Sequence, residues 1–574
     1  MKKFAFSAAR LRHNIVLATF TIAALILIWR AIDLQLSDRE FLQEHGDARS
    51  LRTVEIESHR GMITDRNGEP LAISAPVHSV WAKPAELVQH RDRWRELAKT
   101  LDLAPSHLET LLVPRRTREF LYLKRQIAPD MAEAIDHANI PGVGLMSEYR
   151  RYYPSVELAA HLIGFTNIDD RGQEGIELAF DSKLRGAAGA NRVIKDRLGR
   201  IIELVERIRP VQPGQDVALS IDRRLQHVAD RELKKAVQSN NAAAGLMVIL
   251  DATSGEILAL SNQPSFNPNN RGDLKDEYFR NRAVTDLFEP GSTVKPFTVI
   301  AGLESGLYTP TTRVETGPGT FRVGHHMVRD VHNYGTLDVT GVIEKSSNIG
   351  ATKIALSIEP QQLWTVFNQI GFGHITEVEL PSEPAGRLNG YRGWREIEQA
   401  TLSFGYGMSV TALQLARAYT VLASGGILRP VTILKQTTPP VGIRVMPEPT
   451  VHAVCKMLER VVLFGTGKAA AVYGYRVAGK TGTVHKNTAT GYAEDRYRSM
   501  FAGFLPASQP RLVAVIVIDS PRGAEHYGGL VAAPVFASVM REATRIMNLP
   551  ADATEEPSNN LPLTAQNGAP AQLR

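Results

Sequence analysis

Along the 574 residues the spacing of apolar side chains changes character three times, and each change marks a boundary. The first block is continuous. Ile15–Trp29 holds only apolar residues and threonines, and Ala31 and Ile32 carry the run past Arg30. That length is just enough to span a bilayer as a helix over residues 14–34, with Arg30 snorkelling to the interface beside Trp29. No small-x-small cleavage site follows; Asp33-Leu34-Gln35-Leu36 runs on, so the segment reads as an uncleaved anchor rather than a signal peptide. Ser37-Asp38-Arg39-Glu40 fits a capping box and predicts a helix leaving the span.

From about residue 50 the pattern becomes mixed. Arg60–Gly68 reads as strand closed by an Asn67-Gly68 turn, a hairpin. Arg151-Tyr152-Tyr153-Pro154 and Gly172-Gln173-Glu174-Gly175-Ile176-Glu177 read as loops pinned by charges. Gln212-Pro213-Gly214-Gln215 marks a linker turn. Beyond it the periods are clean: a helix over about Arg224–Gln238, then Gly245–Leu250 and Ile257–Leu260 as a hairpin. Val477–Val484, Met500–Leu505 and Leu512–Ile518 predict three more strands, with helices between the two sets. Five strands split this way predict an antiparallel sheet flanked by helices, an α+β arrangement. From Asn548 the chain is rich in Pro, Asn, Ala and Gly without periodicity, a disordered tail over 548–574. The expected organisation is therefore 1–13 tail, 14–34 anchor, 35–215 non-catalytic module, 216–547 main domain and 548–574 tail.

Composition narrows the function classes. Hydrophobic residues at 43% and charged residues at 22% are ordinary for globular domains. A net charge of +6 without a basic block gives nucleic-acid binding no support. Cys455 is the single cysteine, so no internal disulfide forms, and it reads as a small buried side chain. The sixteen histidines show no metal-ligand spacing, and His325-His326 reads as loop; no metal or cofactor is implied. Lys2, Lys3, Arg10, Arg12 and His13 precede the span without an acid, which places the N-terminus in the cytoplasm and the main mass outside.

The chemistry centres on Glu289-Pro290-Gly291-Ser292-Thr293-Val294-Lys295-Pro296-Phe297, a turn feeding a helix. Ser292 and Lys295 are three apart and share one helical face. A desolvated lysine is able to be neutral and take the proton of a serine nucleophile. Alone, S-x-x-K is weak evidence and fits a surface helix start. Lys345-Ser346-Ser347-Asn348 and Gly479-Lys480-Thr481-Gly482-Thr483 then supply S-x-N and K-T-G in order, which together form a serine acyltransferase signature. The competing pattern is Gly474–Thr481, which matches the phosphate-binding G-x-x-x-x-G-K-[ST] loop. That mechanism needs a strand before the loop and a helix opening at Lys480-Thr481. The alanine-rich Ala469–Tyr473 and the polar Lys486–Gly491 predict neither.

With three ordered motifs and an anchor, the chain resembles the class B penicillin-binding proteins from the anchor to about residue 545. The region before the catalytic domain is similar to that family's pedestal, a dimerisation-type domain, through Arg60-Gly61…Asp65-Arg66-Asn67-Gly68, Arg151-Tyr152-Tyr153-Pro154 and Gly175-Ile176-Glu177. Lys195-Asp196-Arg197-Leu198-Gly199-Arg200 and Tyr334–Gly341 resemble the septal, cell-division branch more than the elongation branch. The resemblance implies a β-lactamase-like transpeptidase fold, an inner-membrane protein with a periplasmic catalytic domain, and D,D-transpeptidation of peptidoglycan stem peptides. It implies Ser292 as nucleophile, Lys295 as base, Ser346 as proton relay, and Asn348 holding Lys295 or the donor amide. Lys480 adds positive charge, Thr481, Gly482 and Thr483 bind substrate, and backbone N–H groups of Ser292 and Thr483 form the oxyanion hole. β-Lactams would acylate Ser292. The lipid-II polymerase FtsW and division-complex proteins are the implied partners. Two rivals share the fold. A hydrolysing β-lactamase would need a water-activating glutamate, which the sequence does not offer, and Ser347 replaces the aspartate of S-D-N. A sensor or scaffold would need more cytoplasmic chain than residues 1–13.

Overall fold

The structure is a computed structural model that describes residues 2–36, 51–56, 58–195, 201–272, 276–488 and 491–553. The expected capping box at Ser37–Glu40, Asp196–Arg200 and the end of the chain from residue 554 lie outside the described residues. Two compact units are present: Met1–His59 with Gly186–Gly214, and Arg60–Arg185 with Gln215–Arg574.

In the first unit, α1 (Lys2–Leu36) contains the apolar run, and Leu11–Leu34 is long and apolar enough to cross a membrane. β1 (Leu51–Ile56) pairs antiparallel with β6 (Gly189–Lys195), and β6 pairs with β7 (Ile201–Arg209).

The second unit opens with β2 (Ile63–Thr64) and β3 (Pro70–Ala82), the hairpin expected around Asn67-Gly68. Asp65 closes it, its Oδ1 accepting from Asn67 N and Glu69 N. β3 pairs antiparallel with β4 (Leu121–Ile127) and with β5 (Val143–Tyr152). Two expectations are corrected here. Arg151 and Tyr152 end strand β5, and Gly175-Ile176-Glu177 open a short helix, α2 (Gly175–Ala179). Their charges look solvent-seeking and so suggest loops, whereas the structure buries them against each other. Arg60 Nε donates to Glu177 Oε2 at 2.6 Å, and Arg151 Nε donates to Glu177 Oε1 at 2.6 Å. Arg60 Nη1 also reaches Asp181 at 2.7 Å. Three sequence words far apart in the chain thus close on one carboxylate.

After β8 (Val217–Ala218), which runs parallel to β2, comes α3 (Arg223–Ser239), capped by the Asp222 side chain. Leu225, Val228, Ala229, Leu233 and Ala236 form its buried stripe at helical spacing. β9 (Ala244–Asp251) and β10 (Ile257–Gln263) form the expected hairpin. The turn that carries Ser292 leads into α4 (Lys295–Glu304). Next come the hairpin β11 (Thr320–Val323) and β12 (His326–Arg329), then α5 (Val339–Lys345) and α6 (Asn348–Leu356). His325-His326, expected in a loop, form the end of that hairpin turn, with His326 already in β12. Helices α7 (Ala412–Ala423) and α8 (Glu448–Leu463) precede β13 (Ala478–Thr488), β14 (Gly491–Leu505) and β15 (Leu512–Asp519), and α9 (Ala533–Ile546) follows.

The main sheet has the order β10-β9-β15-β14-β13, antiparallel throughout. Two of its inner strands are apolar without a break, over Leu246–Leu250 of β9 and Leu512–Ile518 of β15, because both faces are covered. Leu246, Val248 and Leu250 of β9 and Val513, Val515 and Val517 of β15 enter the core shared with α4, α7 and α8. Met247 and Ile249 with Leu512, Ala514, Ile516 and Ile518 enter the second core, under α3 and α9. The period of two divides one apolar run between two layers. β13 is left at the sheet edge, which is where the K-T-G residues stand. Cys455 is buried in α8, and burial pushes its thiol up to about 12.

Asn548–Ala553, the first part of the expected tail, is held. Asp552 carboxylate oxygens accept from Arg476 N at 2.7 Å and Ser508 N at 3.0 Å, and Leu549 O accepts from Tyr475 Oη at 2.6 Å. Composition missed this because one aspartate and the backbone make the attachment.

Candidate active site

Ser292 lies in a 3₁₀ turn, Gly291–Val294, that runs directly into α4, with Pro296 in the first helical turn where its missing N–H costs nothing. Close approach builds this turn. Gly291 has φ +54, and a Cβ there would lie 2.3 Å from Val484 Cγ1 of β13. Gly482 faces the same turn, where a Cβ would meet Thr293 Cγ2 at 3.0 Å. Gly405 supports it from behind, its O accepting from Gly291 N at 3.1 Å. Tyr419 Oη donates to Thr293 O at 2.9 Å from within the core.

Lys295 is fully buried. Its Nζ donates to Ser346 O at 2.5 Å, Ser346 Oγ at 3.2 Å and Asn348 Oδ1 at 2.8 Å. Among the described residues these are its hydrogen bonds; the lysine reaches the second motif rather than Ser292 Oγ. Burial lowers its pKa to about 7, opposed by the charge of Asp330. Lys480 is likewise fully buried, and its Nζ donates to the same Ser346 Oγ at 2.8 Å. Burial, then the neighbouring Lys295 charge, hold its pKa well below the usual lysine value.

Ser346 therefore bridges both amines. It ends α5 in the left-handed region at φ +61, a strained conformation for a residue with a Cβ. Asn348 opens α6, with its Oδ1 on Lys295 and its Nδ2 donating to Arg329 O at 2.9 Å. On β13, Thr481 Oγ1 bonds Thr466 Oγ1 at 2.7 Å, and Thr483 Oγ1 accepts from Gly528 N at 2.9 Å.

All eight residues singled out in the sequence, Ser292, Lys295, Ser346, Asn348, Lys480, Thr481, Gly482 and Thr483, converge on one cleft of about 750 Å³ or its floor. Lys480-Thr481 sit inside a strand rather than at a helix start, which removes the phosphate-loop reading. Sequence reasoning missed Asp330, Thr466 and Tyr406, and an aromatic wall on the same cleft. In that wall Tyr497 stacks on His526 at 4.1 Å, and His485 lies 4.6 Å from Tyr497. The glycine-aromatic cluster Ser403–Gly407 is a readable signal for the support behind the Ser292 turn. Among the described residues no carboxylate lines the cleft.

The chain is similar to known proteins. Residues 245–541 match the penicillin binding protein transpeptidase domain, and residues 55–219 match the penicillin-binding protein dimerisation domain. The chain is 43% identical over 548 residues to the peptidoglycan D,D-transpeptidase FtsI of Escherichia coli K12, covering 94% of this chain and 93% of that protein. The transpeptidase domain of Burkholderia pseudomallei penicillin-binding protein 3 is 44% identical, covers 58% of this chain and 98% of its own, and superposes with a TM-score of 0.54. Penicillin-binding protein 3 of Mycobacterium tuberculosis, solved with aztreonam, is 26% identical, with coverages of 87% and 98% and a TM-score of 0.68. Together with the apolar helix, these similarities fit a single-pass inner-membrane protein. The chain belongs to the class B penicillin-binding proteins, the family of the FtsI-type peptidoglycan D,D-transpeptidases.

Proposed function

We propose that this septal D,D-transpeptidase works through Ser292, with Lys295 as base and Ser346 as proton carrier. Ser292 Oγ attacks the carbonyl between the two terminal D-alanines of a stem peptide while Lys295 takes its proton. Backbone N–H groups of Ser292 and Thr483 stabilise the oxyanion. The carbon–nitrogen bond breaks, Ser346 passes a proton to the departing amine, and D-alanine leaves. An amine on a neighbouring stem peptide then attacks the ester and returns the proton to Ser292. Thr481 and Thr483 hydroxyls hold the donor's terminal carboxylate beside Lys480, and Gly482 lets β13 approach the nucleophile. A β-lactam presents the same acyl group, but its amine stays tethered, so the ester persists.

The observation that carries this reading is the convergence of two fully buried lysines on Ser346 Oγ beside Ser292. Among the described residues no carboxylate lines the cleft, which favours transfer to an amine over hydrolysis. The test is fluorescent-penicillin labelling of the full chain beside Ser292→Ala. Stable labelling that the variant lacks is expected; labelling that fades within minutes would indicate a hydrolase, and none at all would leave a scaffold.

The proposed organisation is a cytoplasmic tail (1–13), an anchor (14–34), a pedestal (35–215) and a periplasmic catalytic domain (216–547). Lys2, Lys3, Arg10 and Arg12 ahead of the span support that orientation. The septal resemblance supports FtsW and division-complex proteins as partners. Loss of FtsW co-purification when the anchor is exchanged for an unrelated one would test that.

A further inference from the structure

We propose that Asp330 is a positioning residue of the reaction, holding Ser346-Ser347-Asn348 so that Asn348 Oδ1 and Ser346 Oγ face Lys295. The inference rests on Lys295 being the base. Asp330 follows β12 and is bonded to its own loop, its N–H donating to Gly319 O at 3.1 Å. Its Oδ1 accepts from Asn348 N at 2.5 Å and from Ile349 N at 3.1 Å, and its Oδ2 accepts from Ser347 Oγ at 2.5 Å. The adjacent Arg329 O accepts from Asn348 Nδ2. That bond decides which way the amide points, because with Nδ2 on a carbonyl only Oδ1 is left to face the lysine. The pair Arg329-Asp330 therefore fixes both the backbone and the side chain of Asn348.

A simpler account would make Asp330 a helix cap, but α6 already has one. Ser347 is its N-cap residue and accepts from Gly350 N at 2.8 Å. What Asp330 adds is a negative charge and a tie to a separate hairpin. The carboxylate missing from the middle of the S-x-N triplet is thus supplied from the loop after β12. Its charge also bears on Lys295: Asp330 favours the ammonium form, while burial disfavours it. Among the described residues Lys480 from β13 is the other charged group facing Lys295. Asp330 itself is faced by Lys295 and by Tyr334, whose hydroxyl pKa it raises together with burial.

The test measures second-order acylation of the detergent-solubilised full chain by a fluorescent penicillin between pH 5 and 9. Wild type should show an acidic limb reporting Lys295. In Asp330→Asn that limb should move to lower pH by about one unit, the size of effect a nearby opposite charge produces. Its plateau should fall at least tenfold as Asn348 loses its hold. Ser347→Ala keeps the charge and loses its bond to Asp330 together with the cap bond from Gly350 N, so its rate should fall severalfold with the limb unmoved. An Asp330→Asn profile superimposable on wild type overturns the proposal, and so does a Ser347→Ala variant at the wild-type rate, which decides the matter if Asp330→Asn does not fold. A wild-type profile without any acidic limb overturns it together with the Lys295 reading, so the two failures are distinguishable.

Discussion

Replacing Glu177 by alanine tests the packing of the non-catalytic part, and the structure sets the size of the effect. The Glu177 side chain is 0% exposed, and the two arginines it binds are 0% and 1% exposed. Its removal leaves both guanidinium groups where water cannot solvate them. Arg60 keeps Asp181 and carbonyl bonds to Asp170 O and Glu177 O, whereas Arg151 keeps Ser74 Oγ at 3.1 Å. The cost therefore falls mainly on Arg151. Breaking a buried pair by removing one partner costs about 3–5 kcal/mol, and the compensation left to Arg60 suggests about 4 kcal/mol. A chain of two units need not melt in one transition, so hydrogen exchange is the appropriate assay. Amides of β3 and β5 should exchange about a thousandfold faster than in wild type, at a factor of ten per 1.4 kcal/mol. The double variant Glu177→Leu with Arg151→Met should be less damaged than Glu177→Ala, because no unpaired charge remains on Arg151. Exchange within threefold of wild type in Glu177→Ala, or a double variant worse than the single, would refute the reasoning.

Three further outcomes follow from the same structure. Lys295→Arg keeps the charge and donors but cannot release its proton, so penicillin acylation measured by stopped flow should fall at least about a hundredfold; a rate above a tenth of wild type would exclude Lys295 as base. Gly482→Ala places a methyl 3.0 Å from Thr293 Cγ2 and 3.1 Å from Met500 Cε, forcing β13 away from the nucleophile turn. Acylation should drop about tenfold or more with circular dichroism unchanged. His161 is buried with its pKa lowered to about 4, so the unfolded chain binds the proton that the folded chain refuses. Its contribution is intact above pH 6.5 and is lost as pH falls towards 4, by about 3 kcal/mol in all; His161→Gln should flatten that part of the stability profile.

Legibility in the sequence followed the range of each signal. The main sheet and α3 were readable because their patterns are local: five apolar strands, and a helical stripe from Leu225 to Ala236. The site was readable because its three motifs keep fixed short spacings around Ser292, Ser346 and Lys480. Non-local electrostatics were not readable. Arg60, Arg151 and Glu177 look like surface charges one at a time, and only the fold reveals that each neutralises another. Asp330 was hidden for the same reason, since its partners are 17 to 19 residues away. Asp552 shows the limit of composition, since six residues of a Pro- and Asn-rich stretch are held by a few specific bonds.

The proton inventory of the site gives the donor peptide's carboxylate a second task. Ser346 has one hydroxyl proton and two amine neighbours, so it is able to donate only towards an amine that is neutral. Two ammonium groups sharing that oxygen in a fully buried site repel each other, and burial penalises both. Of the two, Lys295 has the better support for a charge in the free enzyme: three acceptors, one of them the Asn348 amide, and the field of Asp330. Lys480 has Ser346 Oγ and Thr481 O. On the mechanism proposed above, a carboxylate arriving at Thr481 and Thr483 reverses that balance by placing a negative charge beside Lys480. A proton handed from Lys295 through Ser346 to Lys480 leaves Lys295 neutral when Ser292 has a carbonyl to attack. Substrates without that carboxylate would then lose rate in the chemical step as well as affinity.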